Sequence, residues 1–149
     1  MGVIAADFDE DGDVDLYVAN DFGKNVFYRN DSGKFVEVSK QLKVEDIGFG
    51  MSVSWSDYDR DGDTDIYVTN DSTPNHLWEN QGDGTFKEVG LRRGVSHDKN
   101  GREQAGMGIG CGDLNGDGRD DLFVTNFSGE RNVLYRSSRS AGFREKADA

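Results

Sequence analysis

Three short acidic loops, which begin at Asp7, Asp57 and Asp113, carry the residues most suited to chemistry in this sequence. In each loop, side chains with oxygen ligands stand at positions 1, 3, 5 and 9, and glycine stands at position 6. A hard cation such as Ca²⁺ takes about six to eight oxygen ligands, and carboxylates at this spacing supply several of them from one turn. The loops therefore predict three Ca²⁺ sites.

Each predicted site combines side-chain oxygens with the backbone carbonyl of position 7, while glycine at position 6 allows a turn with positive φ. The predicted ligands are Asp7, Asp9, Asp11, Asp13 and Asp15 in the first loop, Asp57, Asp59, Asp61, Asp63 and Asp65 in the second, and Asp113, Asn115, Asp117, Arg119 and Asp121 in the third. The carbonyl ligands are Asp13, Asp63 and Arg119. Because Asn115 removes one negative charge, the third site is expected to bind Ca²⁺ more weakly than the other two.

Other metal sites fit these loops less well. The loops contain neither His nor Cys, which argues against copper(I) and structural zinc, and Mg²⁺ demands a stricter octahedral geometry. An EF-hand requires a bidentate Glu at position 12 and a helix on each side. Position 12 is Val18, Val68 or Val124, in the middle of a strand pattern, so the EF-hand is rejected.

The loops belong to a longer repeat, because Asp7, Asp57 and Asp113 lie 50 and 56 residues apart and the flanking segments also match. Each copy contains four short segments rich in Val, Ile, Tyr, Phe and Trp, bounded by Gly, Asn and Asp, which is typical of strands. Four strands in about 50 residues form a propeller blade. The sequence therefore predicts an all-β fold of three four-stranded antiparallel β-propeller blades in a single domain, over about 1–45, 46–100 and 101–149.

The first strand of each copy alternates small residues with larger ones, a pattern that predicts close approach of another backbone near the propeller axis. The small residues are Ser52, Ser54 and Ser56, and Gly108, Gly110 and Gly112. The long connection between the second and third copies, 90–106, is either a binding loop on one face of the scaffold or an ordinary solvated loop.

These motifs resemble the FG-GAP/VCBS repeats, which form blades of integrin-α-like propellers and carry Asp-x-Asp-x-Asp-Gly-x-x-Asp calcium loops. The stretches 104–115 and 121–128 are similar to the propeller region of ASPIC/UnbV-associated proteins, which include the cartilage acidic protein group. The resemblance implies an extracellular or periplasmic calcium-binding module used for interaction with a protein or a carbohydrate, or for adhesion. Three blades and the lack of an ASPIC segment depart from that family.

Composition narrows the possible partners. The net charge is −12 over 149 residues, which argues against nucleic acid and anionic membranes as partners. No signal peptide precedes the first loop. We expect no enzymatic activity and no catalytic residue, because His76 and Cys111 occupy packing positions of the repeat and His97 lies in the long connection without a recognisable catalytic constellation.

Three blades form an arc with two uncovered apolar faces, which predicts self-association through the first and third blades. A closed homodimer of six blades or an open filament would cover both faces. A self-assembling structural protein is therefore the alternative to an interaction module. An excerpt from a longer propeller would have the same sequence features.

Overall fold

A computed structural model of the protein describes residues 1–138 and 142–146. The chain forms three four-stranded antiparallel sheets, and the strands of each sheet are neighbours in chain order. The first blade contains β1 (Gly2–Ala6), β2 (Asp15–Ala19), β3 (Val26–Asp31) and β4 (Lys34–Glu37); the second contains β5 (Gly50–Ser56), β6 (Asp65–Asn70), β7 (His76–Asn80) and β8 (Phe86–Glu88); the third contains β9 (Gly106–Gly112), β10 (Asp121–Asn126), β11 (Val133–Ser138) and β12 (Gly142–Lys146). The predicted fold class is thereby confirmed.

Two short helices follow the last strands of the first and second blades: α1 (Ser39–Leu42) and α2 (Gly90–Arg93). Each ends at a left-handed residue, Lys43 or Gly94, which turns the chain towards the next blade. The sequence did not predict these helices, because four residues are too few to show helical periodicity. No helix among the described residues is long and apolar enough to span a membrane.

Successive blades pack face to face. Side chains alternate between the two sides of a strand, so each sheet has two apolar faces. We call one the leading face (Tyr17 and Phe27; Tyr67 and Leu77; Phe123 and Leu134) and the other the trailing face (Val3, Leu16, Val18 and Phe35; Val53, Ile66, Val68 and Phe86; Leu122, Val124, Val133 and Phe143). The leading face of the first blade packs on the trailing face of the second, and the leading face of the second on the trailing face of the third.

The first strands of the blades lie side by side, β1 against β5 and β5 against β9. At Gly2 the predicted close approach is present, because a Cβ atom there would lie only 3.0 Å from Ser52 Cα. At Gly110 and Gly112 it is absent, since no atom of the described chain lies within 4 Å of such a Cβ. These two glycines lie on the leading face of the third blade, against which no described element packs.

The turn between the second and third strands of each blade is closed by a repeated pair of asparagines. The side-chain oxygen of Asn25 accepts a hydrogen bond from Asn20 N at 2.7 Å, and Asn75 accepts one from Asn70 N at 2.8 Å. The third blade repeats this contact between Asn132 and the Asn126 backbone. Because strands alternate in direction, these turns lie at one end of the blades and the acidic loops lie at the other.

Candidate metal centres

Each acidic loop joins the first strand of its blade to the second, as the repeat predicted. The glycine at position 6 has positive φ in all three, at 94° for Gly12, 104° for Gly62 and 78° for Gly118. Position 4 also has positive φ, although it is Glu10 in the first loop and Arg60 in the second. A side chain rarely adopts this conformation, so the double left-handed turn was not evident from the sequence.

The aspartate at position 1 folds its own loop. Asp7 Oδ1 and Oδ2 accept hydrogen bonds from the backbone N–H groups of Asp11 (3.2 Å) and Gly12 (3.0 Å). Asp57 accepts the equivalent pair in the second loop at 3.1 and 3.2 Å. These bonds curl the loop around the carboxylates, which brings side chains that are two residues apart close together.

Two loops gather three carboxylates within reach of one ion. Asp7, Asp9 and Asp15 each offer an oxygen atom, and these atoms lie within 4.8 Å of one another. Asp57, Asp59 and Asp61 form the same kind of group in the second loop. Ca²⁺–oxygen distances are about 2.3–2.6 Å, so two ligands of one ion lie at most about 5 Å apart. Both groups therefore fit a calcium ion.

The third loop is arranged differently. Asn115 Nδ2 donates to Asp117 Oδ2 at 3.0 Å, and Asn115 Oδ1 accepts a bond from the Asp117 backbone at 2.9 Å. N–H groups of the loop thus donate hydrogen bonds to side-chain oxygens that the sequence predicts as calcium ligands. Asp113 accepts several backbone N–H bonds, foremost from Gly118, which lower the pKa of its carboxyl group. Within the described residues, this loop brings no three acidic side chains together.

The aspartate at position 9 has a second role that the sequence did not reveal. Asp15, Asp65 and Asp121 are almost completely buried. Each accepts a hydrogen bond from the third strand of its blade, at 2.8 Å from Asn30 N in the first blade and at 2.9 Å from Asn80 N in the second. This carboxylate therefore ties the loop to the sheet, and a cation bound to it would be anchored to two strands.

Burial and mutual repulsion make several loop carboxylates hard to ionise. Burial, followed by the charge of Asp11, raises the pKa of Asp9, and burial followed by the charge of Asp61 raises that of Asp59. Burial raises the pKa of Asp65 to about 8. No hydrogen-bond donor among the described residues reaches the buried Asp59 Oδ1. A divalent cation would relieve the repulsion and satisfy this oxygen.

A positive side chain also lies beside the second loop. Arg93 Nη2 lies 2.7 Å from Glu79 Oε2 and 3.8 Å from Asp59 Oδ2, and its guanidinium stacks on the Tyr58 ring. The Tyr58 hydroxyl donates to Glu79. Burial would raise the pKa of Glu79, but the hydrogen bonds from Tyr58 and Arg93 outweigh this and lower it to about 2. This network links the loop of the second blade to α2.

The predicted carbonyl ligands at position 7 lie in their loops, and their role remains a prediction. The Asp13 side chain is already engaged, because its Oδ2 accepts a hydrogen bond from Ser32 N at 2.7 Å in the turn before β4. This contact ties the first loop to the neighbouring turn at the same end of the blade.

The comparison with protein families agrees with the three-blade repeat. A family model described as an FG-GAP-like repeat matches residues 7–68 and, in a second copy, residues 57–124. The chain belongs to the FG-GAP repeat family. Both FG-GAP matches begin at position 1 of an acidic loop and end inside the second strand of the next blade. A search of curated proteins found no match. Similarity to the ASPIC/UnbV group stays a prediction.

The cysteine and the two histidines of this FG-GAP chain have different surroundings. Cys111 packs against the core between the second and third blades, and burial raises the pKa of its thiol to about 11. His76 Nδ1 lies 2.5 Å from Asp46 Oδ2, and His97 Nδ1 lies 2.7 Å from Ser96 Oγ. FG-GAP repeat proteins are typically interaction modules without enzymatic activity.

Proposed function

We propose that this FG-GAP chain is a calcium-stabilised β-propeller module that binds a protein or a carbohydrate outside the cytoplasm, in the extracellular space or the periplasm. The observation that carries the proposal is the gathering of three carboxylate oxygens within 4.8 Å in each of the first two loops. Their role is structural, because each loop connects two strands of one blade.

The mechanism follows from charge. In the first loop, Asp7, Asp9 and Asp15 bring negative charge into a small volume, and like charges at this distance repel one another. A bound Ca²⁺ ion would supply the positive charge that neutralises these carboxylates. Asp15 would transmit this effect to the sheet, since its carboxylate accepts N–H groups from Phe8 and Asn30. Ion binding would thereby tighten the end of the blade that carries the loop.

The segment 90–106 supports an interaction role. It is held to the second blade by Tyr67, which donates to Val95 O at 2.7 Å, and within the segment Asp98 accepts the Arg102 N–H at 2.8 Å. Together with the third blade it lines an open cleft of about 300 Å³, whose lining includes Asn100, Arg102, Gln104, Glu130 and Asn132. Amides and charged groups of this kind suit the hydroxyls of a carbohydrate or a polar protein surface, and we place the partner there.

The experiment is a thermal melt of the chain in calcium and in chelator. We expect calcium to raise the melting midpoint, because a ligand at about 100 times its dissociation constant stabilises by about 2.7 kcal/mol. Asp7→Asn should remove much of this gain. Glu10→Gln is the matched control, since Glu10 is exposed at position 4 of the same loop and is not a predicted ligand. Equal midpoints in calcium and chelator would overturn the structural role of the ion.

A further inference from the structure

A cavity lies at the junction of the first and second blades, beside the first acidic loop. It has a volume of about 170 Å³, and its apolar wall consists of Phe8, Phe27, Leu42 and Phe86. All four belong to the core that joins these two blades, so both blades bound the cavity. An engineered apolar cavity of about 150 Å³ holds benzene, so this cavity has room for a body the size of one aromatic ring.

Charged side chains complete the lining of this cavity. Asp9 and Asp15 line it, and they belong to the group of carboxylates that fits a calcium ion. Asp83 and Arg29 line it as well. Arg29 donates to Asp31 through Nε at 2.8 Å and Nη2 at 3.2 Å, and its guanidinium has further N–H donors. The cavity therefore combines an apolar wall with a positive group that can hold an acceptor.

The junction of the second and third blades treats the same positions differently. There, Arg93 stacks on the Tyr58 ring and lies 2.7 Å from Glu79, so three side chains of the chain itself form one network. Phe8 and Leu42 carry no polar group, so the first junction cannot form this network. The positions correspond in the repeat as Phe8 with Tyr58, Arg29 with Glu79, and Leu42 with Arg93.

We propose that this cavity binds a small organic carboxylate with an aromatic ring. The ring packs against the apolar wall, where Phe8 and Phe27 already meet edge to face with centroids 5.2 Å apart. The carboxylate of the ligand accepts hydrogen bonds from Arg29, because a guanidinium suits the planar geometry of a carboxylate. The ligand thereby supplies from outside the acidic group that Glu79 supplies to Arg93 at the next junction.

The charges of the lining make this binding depend on calcium. Without a cation, Asp9 and Asp83 repel an anionic ligand, and Arg29 is the only cationic residue among the described residues of the lining. Calcium at the first loop would neutralise Asp9 and Asp15. A cationic ligand would then meet both the ion and the guanidinium, so an anion is favoured. Ligand binding thus rests on the calcium-binding function proposed above.

The first test is a calorimetric titration of the chain with phenylacetate, in calcium and in chelator. We expect phenylacetate to bind in calcium and to bind about tenfold more weakly in chelator. Phenylacetamide has nearly the same shape without the charge, and benzylamine carries the opposite charge. Both should bind about tenfold more weakly than phenylacetate in calcium. Equal binding of phenylacetate and phenylacetamide, or tighter binding of benzylamine, would overturn the proposal.

The second test removes the guanidinium from the cavity. Arg29→Gln should weaken phenylacetate binding about tenfold in calcium, whereas binding of phenylacetamide should change little. Lys34→Gln is the matched control, because it removes the same charge from an exposed residue of β4 that does not line the cavity. Leu42→Phe should also prevent binding, since the larger side chain fills the space of the ring. An Arg29→Gln variant that bound phenylacetate like the wild type would reject the site.

The melting midpoint separates failure of the ligand site from failure of the calcium site. If calcium raises the midpoint but phenylacetate does not bind in calcium, the ligand site is rejected and the calcium-binding function stands. If calcium leaves the midpoint unchanged, the calcium-binding function is rejected, and the calcium dependence of ligand binding is rejected with it. Equal affinity for phenylacetate in calcium and in chelator would likewise reject that dependence.

Discussion

Arg136 Nε lies 3.7 Å from Asp121 Oδ2, so a positive side chain stands beside the buried carboxylate at position 9 of the third loop. The residues equivalent to Arg136 make no such contact in the other blades. Arg29 of the first blade forms an ion pair with Asp31 instead, and the second blade has Glu79 at this position. A fixed positive charge opposes an incoming cation. Arg93 has the same effect on the second loop, so the amide at Asn115 is what should make the third loop the weakest calcium site.

Asn115→Asp should strengthen calcium binding at the third loop. The substitution supplies the carboxylate that the first two loops have at position 3, and it replaces the Asn115 Nδ2 donor that occupies Asp117. Ligand charge tunes calcium affinity, and a gain of about 1.4 kcal/mol corresponds to about tenfold in the dissociation constant. Calorimetric titration measures it. The control is Asn100→Asp, an exposed asparagine that also precedes glycine, and an equal gain there would refute the prediction.

Arg93→Gln should change stability and calcium binding in opposite directions. Loss of the guanidinium leaves Glu79 and Tyr58 without their partner and should destabilise the metal-free chain by about 1–3 kcal/mol. The same loss removes a positive charge 3.8 Å from Asp59, so the second loop should bind calcium several-fold more tightly. Urea unfolding in chelator and calcium titration measure the two effects.

Arg92→Gln is the matched control for the effects of Arg93→Gln on stability and on calcium binding. Arg92 precedes Arg93 and also contacts Glu79, but its side chain is 58% exposed and its distance to Glu79 is 3.4 Å. Exposed ion pairs contribute about 0–1 kcal/mol, so this variant should resemble the wild type in both measurements. If Arg93→Gln weakened calcium binding, the guanidinium would be supporting the loop rather than opposing the ion.

Local features of the structure could be read from the sequence, and this is why the blades were predictable. The glycines at position 6 and the turn between the first two strands depend only on neighbouring residues. The two pairs Asn20–Asn25 and Asn70–Asn75 are also local. The Asn-x-Ser sequences at Asn70 and Asn126 fall on this repeated asparagine, and Asn70 is fully buried, so its role in the turn accounts for it better than a surface modification does.

Features that depend on distant residues were not predictable. Arg93 reaches Asp59 from α2, and Arg136 reaches Asp121 from β11, because the fold brings separate strands to one end of a blade. Nothing in the spacing of the loops signals either contact. The same holds for the contact of Asp15 with the Asn30 backbone. A sequence pattern thus identified candidate ligands, while the charges around them followed only from the tertiary structure.

The buried carboxyl group of Asp65 should give the metal-free protein an unusual dependence on pH. Burial raises its pKa from 3.8 to about 8 in the folded chain. Between these values the folded state holds a proton that the unfolded state has released, so stability should fall as the pH rises from about 4 to about 8. Each pKa unit corresponds to about 1.4 kcal/mol, which makes the expected loss several kcal/mol. Urea unfolding in chelator across this range measures it.

Asp65→Asn and calcium should each abolish this loss, for different reasons. The amide of the Asp65→Asn variant cannot ionise, so the stability of this variant in chelator should stay flat over the same pH range. Calcium binds the ionised carboxylate, so in saturating calcium neither the folded nor the unfolded state holds this proton above about pH 5, and the stability of the wild type should stay flat. Asp83→Asn is the control, because Asp83 is exposed and the Thr85 hydroxyl lowers its pKa, which keeps its titration below this range. A chelated wild type that became more stable from about pH 4 to about pH 8 would contradict the burial of a protonated Asp65.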